Sequence, residues 1–255
     1  MTDLNAIAET VDEAARTATA IAQFSKTAPL GVDDAYRIQA LSMQRRYQRG
    51  ERRVGVKMGL TSRAKMRQVG VSDTTWGRLT DAMRETDGGI VSMARYIHPR
   101  VEPEIAFLMK APLAGDVSGI EAMAAVEALA PALELIDSRY EDFRFDLGDV
   151  IADNSSSSGF VVGNWARPEI DFANLGMVLS IDGRVRETGS TAAILGHPVR
   201  ALVAAARMVS AAGEGLQPGD IVLAGAATAA VPLAAGQAVQ LDVQSLGMLG
   251  FGVEA

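Results

Sequence analysis

The sequence predicts an α+β fold, and three observations carry that prediction. The first fifty residues show helical periodicity. The rest is mostly short apolar or alternating runs divided by glycine-containing turns. Beyond Gly70 only two helical patterns interrupt those runs, whereas a doubly wound α/β fold would alternate strand and helix throughout. The division expected is a helical N-terminal region over 1–75 and a β-rich domain over 76–255.

Leu4, Ile7, Val11, Ala14, Ala18 and Ile21 recur at helical spacing, with Asp12, Glu13 and Arg16 off that stripe. Pro29 and Gly31 break the pattern. A second helix opens on Asp33 and Asp34 as first-turn acids and carries Tyr36, Ala40, Met43 and Tyr47 on one face. It ends in a basic run, Arg45, Arg46, Arg49, Arg52 and Arg53. These cations are expected to complement a helix C-terminus closed by Gly50, rather than to bind phosphate. Val54–Gly59 reads as a strand and Ser62–Val69 as a helix ended by Gly70. Strands are predicted over Arg100–Lys110, Pro131–Asp137, Phe160–Gly163 and Met177–Ile181, with a helix over Glu121–Leu129. Asp182–Gly183 signals a hairpin turn. Pro198 opens a helix whose apolar face is Val199, Leu202, Val203, Ala206 and Val209, and Gly213 ends it. Ile221–Leu223, Ala238–Val243 and Leu249–Val253 are three closing strands.

Composition narrows the chemistry. The 255 residues carry a formal net charge of −7, which argues against a dedicated nucleic-acid binder, since phosphate contacts need a basic footprint. There are no cysteines, so disulfides, thiolate nucleophiles and thiolate zinc sites are excluded. With only His98 and His197 as histidines, any metal must be held by oxygen. No signal peptide and no membrane span are expected, and the composition suits a reducing cytoplasm. Phosphate-loop, dinucleotide-binding, nucleophile-elbow and zinc-protease signatures are absent.

What remains is acidic. In the strand Val101–Phe107, Glu102 and Glu104 are two residues apart, so their carboxylates share a face about 7 Å apart while Ile105 and Phe107 face a core. Such a pair is tolerable on a solvated edge, or with a cation between the carboxylates. Glu134 stands alone in the apolar run Ala132–Ile136, where an ionised carboxylate must be neutralised, paired or metal-bound. Three glutamates would suit a hard cation such as Mg²⁺ or Mn²⁺, and an arginine partner for Glu134 is equally consistent with the spacing. Lys57, between Gly55 and Gly59, is either a surface lysine or a substrate clamp or proton carrier. Asp81 is a general base or a strand-end cap. Asp153–Ser156 is rich in short hydrogen-bonding groups and reads as a turn. His197, before Pro198, fits the start of a helix better than a catalytic base.

Five segments in order, Gly55–Ser62, Val101–Phe107, Pro131–Tyr140, Ala152–Ser156 and Leu195–Pro198, resemble the 2-oxo-3-hexenedioate (4-oxalocrotonate) decarboxylase and 2-hydroxypenta-2,4-dienoate hydratase family. This is a branch of the fumarylacetoacetate-hydrolase-like superfamily. The resemblance implies a mixed β-sheet roll behind a small helical region, and a lyase using Mg²⁺ or Mn²⁺. It implies Glu102, Glu104 and Glu134 as metal ligands, Lys57 beside the substrate carboxylate, Asp81 in proton transfer and Ser156 in the pocket. The segments Asp137–Leu147 and Thr228–Val231 look like the decarboxylase, Thr80–Met83 like the hydratase. The expected reaction is decarboxylation of 2-oxohex-3-enedioate in meta-cleavage catabolism of aromatic compounds, with hydration of 2-hydroxypenta-2,4-dienoate as the alternative. Gly159 stands where some decarboxylases have an arginine, which leaves open what meets a second carboxylate. The partners implied are a small 2-oxo acid, further copies of the chain, and a partner hydratase.

Overall fold

The computed structural model describes residues 3–62 and 74–255. The helix predicted over Ser62–Val69 lies, apart from Ser62, outside the described residues. Helices α1 (Leu4–Thr17) and α2 (Val32–Gln48) come first, as predicted. The Asp3 carboxylate caps α1 by accepting from Asn5 and Ala6 N–H, and α1 stops where Ala18 turns left-handed, so Ile21 is not part of the helix. Asp12 departs from its expected place off the buried stripe. It is buried between the two helices because Arg45 of α2 and Arg49 at its C-cap reach it, and burial's upward push on its pKa is outweighed by those two guanidinium groups. The basic run is thus used internally: Arg46 pairs with Glu51, Arg52 with Asp81 and Arg53 with Asp220.

The strands follow in chain order as β1 (Arg53–Gly59), β2 (Thr75–Thr80), β3 (Arg84–Glu85), β4 (Ile90–Ser92), β5 (Arg100–Met109), β6 (Val126–Ile136), β7 (Ser157–Val162), β8 (Gly176–Ile181), β9 (Arg184–Ser190), β10 (Ile221–Leu223), β11 (Val231–Pro232), β12 (Ala238–Val243) and β13 (Gly247–Glu254). An eight-stranded mixed sheet runs β2-β1-β10-β5-β6-β7-β3, with β11 beside β5, and a five-stranded sheet runs β4-β13-β12-β8-β9. The chain enters the large sheet at β1, inside the span 1–75. Gly55 permits that entry: its φ is +153°, and a Cβ there would fall 1.9 Å from the Ile221 carbonyl oxygen.

Short helices α3 (Gly119–Ala124) and α4 (Leu147–Ala152) and the longer α5 (Pro198–Ala211) complete the elements. The helix predicted over Glu121–Leu129 ends at Ala124, and β6 begins at Val126. The run Ala124–Ala130 has good helix formers, but pairing with β5 (Phe107 opposite Leu129) overrides propensity. His197 caps α5 through Nδ1, which accepts from Val199 N–H, as its position before Pro198 suggests. Ile105, Phe107, Leu133, Leu135 and Val161 face the main core between the sheets. The opposite face of the large sheet carries Ala106, Ala132, Phe160 and Leu223 against Met43 of α2. Among the described residues no helix is long and apolar enough to cross a membrane.

Candidate active site

Strand register assembles the acidic cluster. Glu102 on β5 pairs directly with Glu134 on β6, and Glu104 lies two residues further along the same face. Carboxylate oxygens of all three lie within 4.8 Å of one another, and all three residues are buried. Glu104 Oε2 accepts a hydrogen bond from Gly225 N–H at 2.7 Å, whereas Glu104 Oε1 and Glu134 Oε1 have no partner among the described residues. Gly225 has φ +96°, and a Cβ there would lie 2.1 Å from Thr61 Oγ1, so only glycine brings this N–H to the carboxylate.

Lys57 reaches the same cluster from β1. It pairs with Leu223 on β10, which pairs with Ala106 on β5, so all three residues share the face of Glu102 and Glu104. The ammonium lies 3.1 Å from Glu134 Oε2 and donates to the Ser155 carbonyl at 3.0 Å. The surface-lysine alternative is therefore removed, and among the described residues the partner of Glu134 is this lysine rather than an arginine. Burial pulls the Lys57 pKa down, but the charges of Glu134, Glu102 and Glu104 outweigh it and the net direction is up. Burial pushes Glu104 well above the usual carboxylate range, and the neighbouring Glu134 adds to that rise. Glu134 is raised by burial too, against the opposing pull of Lys57. Among the described residues, Lys57 is the cation paired with this cluster of three carboxylates. Unpartnered buried oxygens from an all-oxygen donor set fit a hard divalent cation held by Glu102, Glu104 and Glu134.

Opposite the strands lies a loop in a costly conformation. Asn154, Ser155 and Ser156 are all left-handed, with φ of 49°, 54° and 58°. Such residues cost on the order of 1–3 kcal/mol each and persist where their surroundings hold them. Here the Asn154 side chain accepts from Arg78 N–H and donates to the Arg78 carbonyl, imitating a strand partner for β2. Ser155 Oγ donates to the Trp76 carbonyl, and Arg139 forms a buried ion pair with Asp153. The loop presents the Ser155 carbonyl to Lys57 and leaves Ser156 Oγ buried without a partner among the described residues, beside the substrate-sized space.

That space is a cavity of about 460 Å³ whose lining includes Lys57, Glu102 and Ser156 together with the apolar Met58, Ile136, Phe143, Phe145 and Ala230. Two residues are not brought to it. Asp81 does not line the cavity; its carboxylate accepts from the backbone and side chain of Arg52, the strand-end alternative, and those hydrogen bonds hold its pKa down. Gly159 pairs with Leu135 and so faces the main core, where a Cβ would lie 2.9 Å from Tyr96 Oη. A residue that the sequence reading passed over does line it: Arg100, two residues before Glu102 and on the same face. The spacing that singled out Glu102 and Glu104 extends one step back to Arg100, which was the available signal.

A family profile described as Fumarylacetoacetate (FAA) hydrolase C-terminal matches residues 52–254. The chain belongs to the fumarylacetoacetate hydrolase family. Within it, a 4-oxalocrotonate decarboxylase from a Pseudomonas species is 56% identical over 248 residues, 97% of each chain. A 2-hydroxyhexa-2,4-dienoate hydratase from Comamonas testosteroni is 35% identical over 241 residues, 92% of this chain and 91% of that one. The solved structure of 4-oxalocrotonate decarboxylase from Pseudomonas putida G7, complexed with magnesium and adipate, superposes with a TM-score of 0.95 at 38% identity, covering 98% of this chain and 97% of that one. The predicted α+β roll is the fold of this fumarylacetoacetate hydrolase family member.

Proposed function

We propose that this chain decarboxylates 2-oxohex-3-enedioate to 2-hydroxypenta-2,4-dienoate with Mg²⁺, or Mn²⁺, as cofactor. The observation that supports it most is the convergence of Glu102, Glu104, Glu134 and Lys57, with Glu102 and Lys57 lining a cavity that also has apolar walls. The 56% identity to a decarboxylase, against 35% to a hydratase, selects the reaction.

A divalent cation held by the three glutamates supplies Lewis acidity toward the ketone and the adjoining carboxylate when bound. Lys57 balances the charge of the C1 carboxylate, its ammonium aimed by Glu134 and the Ser155 carbonyl. Ser156 Oγ donates a hydrogen bond to a substrate oxygen. The apolar walls exclude water, which strengthens each of these interactions. The C5–C6 bond breaks and C6 departs as CO₂. Its electron pair forms C4=C5, the C3=C4 pair moves to C2=C3, and the carbonyl pair ends on the 2-oxygen, which takes a proton to give the dienol. Asp81 has no part in this scheme.

Magnesium-loaded protein incubated with 2-oxohex-3-enedioate is expected to release one CO₂ per dienol formed. Water addition to 2-hydroxypenta-2,4-dienoate, with no CO₂ from the diacid, would make it a hydratase instead. Association with further copies, and with a partner hydratase, belongs to the same reading; exposed Ile90, Ile120 and Met248 offer apolar contact surface, and light scattering and co-purification test it.

A further inference from the structure

We infer that Arg100 recognises the far carboxylate of a dicarboxylic ligand and so sets a preference for 2-oxo diacids over 2-oxo monoacids. The inference rests on the reading above only in placing the ligand's ketone end at the three glutamates.

Arg100 opens β5 and shares the face of Glu102 and Glu104, so the order along the strand is Glu104, Glu102, Arg100. Its Cα stands roughly 7 Å from that of Glu102, the rise of two strand residues. An extended six-carbon 2-oxo acid anchored at the glutamates therefore runs toward it. The guanidinium sits over a ring: its Cζ lies 4.0 Å from the centroid of the Phe143 ring, and that ring rests against His98, with centroids 5.1 Å apart. The Asp137 carboxylate fixes the approach to β5 by accepting from Ile97 and His98 N–H. A ring beneath Cζ restrains the guanidinium without using up its N–H donors, the fork that matches a carboxylate.

The cation is also uncommitted. Among the described residues Arg100 has no carboxylate partner, whereas the other lining cation, Lys57, is bound to Glu134. The neighbouring acid in the lining, Asp146, accepts from Asp149 N–H as the cap of α4. Arg100 pairs across the sheet with Ile136 and sits over Phe143, both apolar parts of the same lining.

The far carboxylate is the group that leaves as neutral CO₂. An arginine paired with it stabilises the bound substrate but loses that pairing as the charge drains away in the transition state. Arg100 is thus a specificity residue that lowers KM and does not raise kcat.

Magnesium-loaded protein titrated with 2-oxoadipate and with 2-oxohexanoate tests this without turnover, because neither has the C3=C4 double bond. Arg100→Met is expected to weaken 2-oxoadipate binding about 10- to 100-fold, the range for one charge-assisted hydrogen-bonded pair. Binding of 2-oxohexanoate and of Mg²⁺ should stay unchanged, and Arg100→Lys should keep part of the discrimination. With 2-oxohex-3-enedioate, Arg100→Met should raise KM while kcat holds or rises. Equal weakening of both ligands, no weakening of either, or an unmodified protein indifferent between them overturns the assignment. Should Arg100→Met fold poorly, Phe143→Leu, which removes the stacking ring, must reduce the diacid preference or the assignment falls. Failure of CO₂ release by the unmodified protein refutes the decarboxylase reading and leaves this comparison intact.

Discussion

Lys57 Nζ lies 3.1 Å from Glu134 Oε2 although two strands, β10 and β5, separate their own strands in the sheet. A flat sheet would put these backbones roughly 14 Å apart, three strand spacings. The contact therefore requires the sheet to curl around this face, and the site occupies the concavity. Lys57→Met would leave three buried carboxylates without their cation. Loss of one partner of a buried pair costs about 3–5 kcal/mol, and that is the destabilisation expected in urea unfolding without metal. Mg²⁺ should restore part of it, because a ligand bound only by the folded state stabilises that state. A variant that gains no more from Mg²⁺ than the unmodified protein would show that Lys57 is not the counter-charge.

Glu134→Ala and Glu104→Ala each remove one arm of the oxygen donor set. Metal content after equilibration with Mg²⁺ should fall to background. Decarboxylation should drop by at least about 1000-fold, the worth of several kcal/mol of Lewis-acid stabilisation. The fold should persist in Glu104→Ala, which removes a costly buried charge, whereas Glu134→Ala also strips Lys57 of its nearest counter-charge and should cost stability as Lys57→Met does. Full activity in metal-free Glu134→Ala protein would sink the assignment of the ion to these residues.

The acidic trio was legible because strand periodicity is local. Glu102 and Glu104 needed only a two-residue repeat, and Glu134 stood out as one charge in an apolar run. The pairing of Lys57 with Glu134 was not legible, since it arises from sheet curl and from a crossover that seats β10 between β1 and β5. The left-handed run Asn154–Ser156 carries no glycine to announce it. Its conformation is imposed by Arg78, Trp76 and the Arg139–Asp153 pair, all distant in sequence or hidden in the core. Asp12 read as a solvent-facing charge because a helical stripe describes one helix only, and its burial depends on arginines from the next. Strand β2 and the six-residue α4 are too short to display a period.

Asp81→Asn separates the structural role from the catalytic one. Its carboxylate binds Arg52 outside the cavity, so kcat/KM for decarboxylation should match that of the unmodified protein. A large loss in kcat at unchanged KM would return Asp81 to the reaction and require the β2 end to move toward the substrate.

Asp153 gives a pH-dependent test of the loop that carries Ser155 and Ser156. Burial pushes its carboxyl up to about 6, although Arg139 pulls the other way. The unfolded chain releases that proton near the ordinary aspartate value of 3.8. Between these two values the folded state holds a proton that the unfolded state has lost, so this group's contribution to stability falls as pH rises through the window and is constant above it. A shift of this size amounts to roughly 3 kcal/mol. Asp153→Asn keeps the shape and removes the titration. The stability of the unmodified protein minus that of the variant, from urea unfolding between pH 4 and 7, should therefore decline with rising pH by up to that amount. A difference that grows with pH would mean that the attraction of Arg139 exceeds the cost of burial. In that case the Arg139–Asp153 pair is a source of stability near neutral pH instead of a cost met to hold the loop.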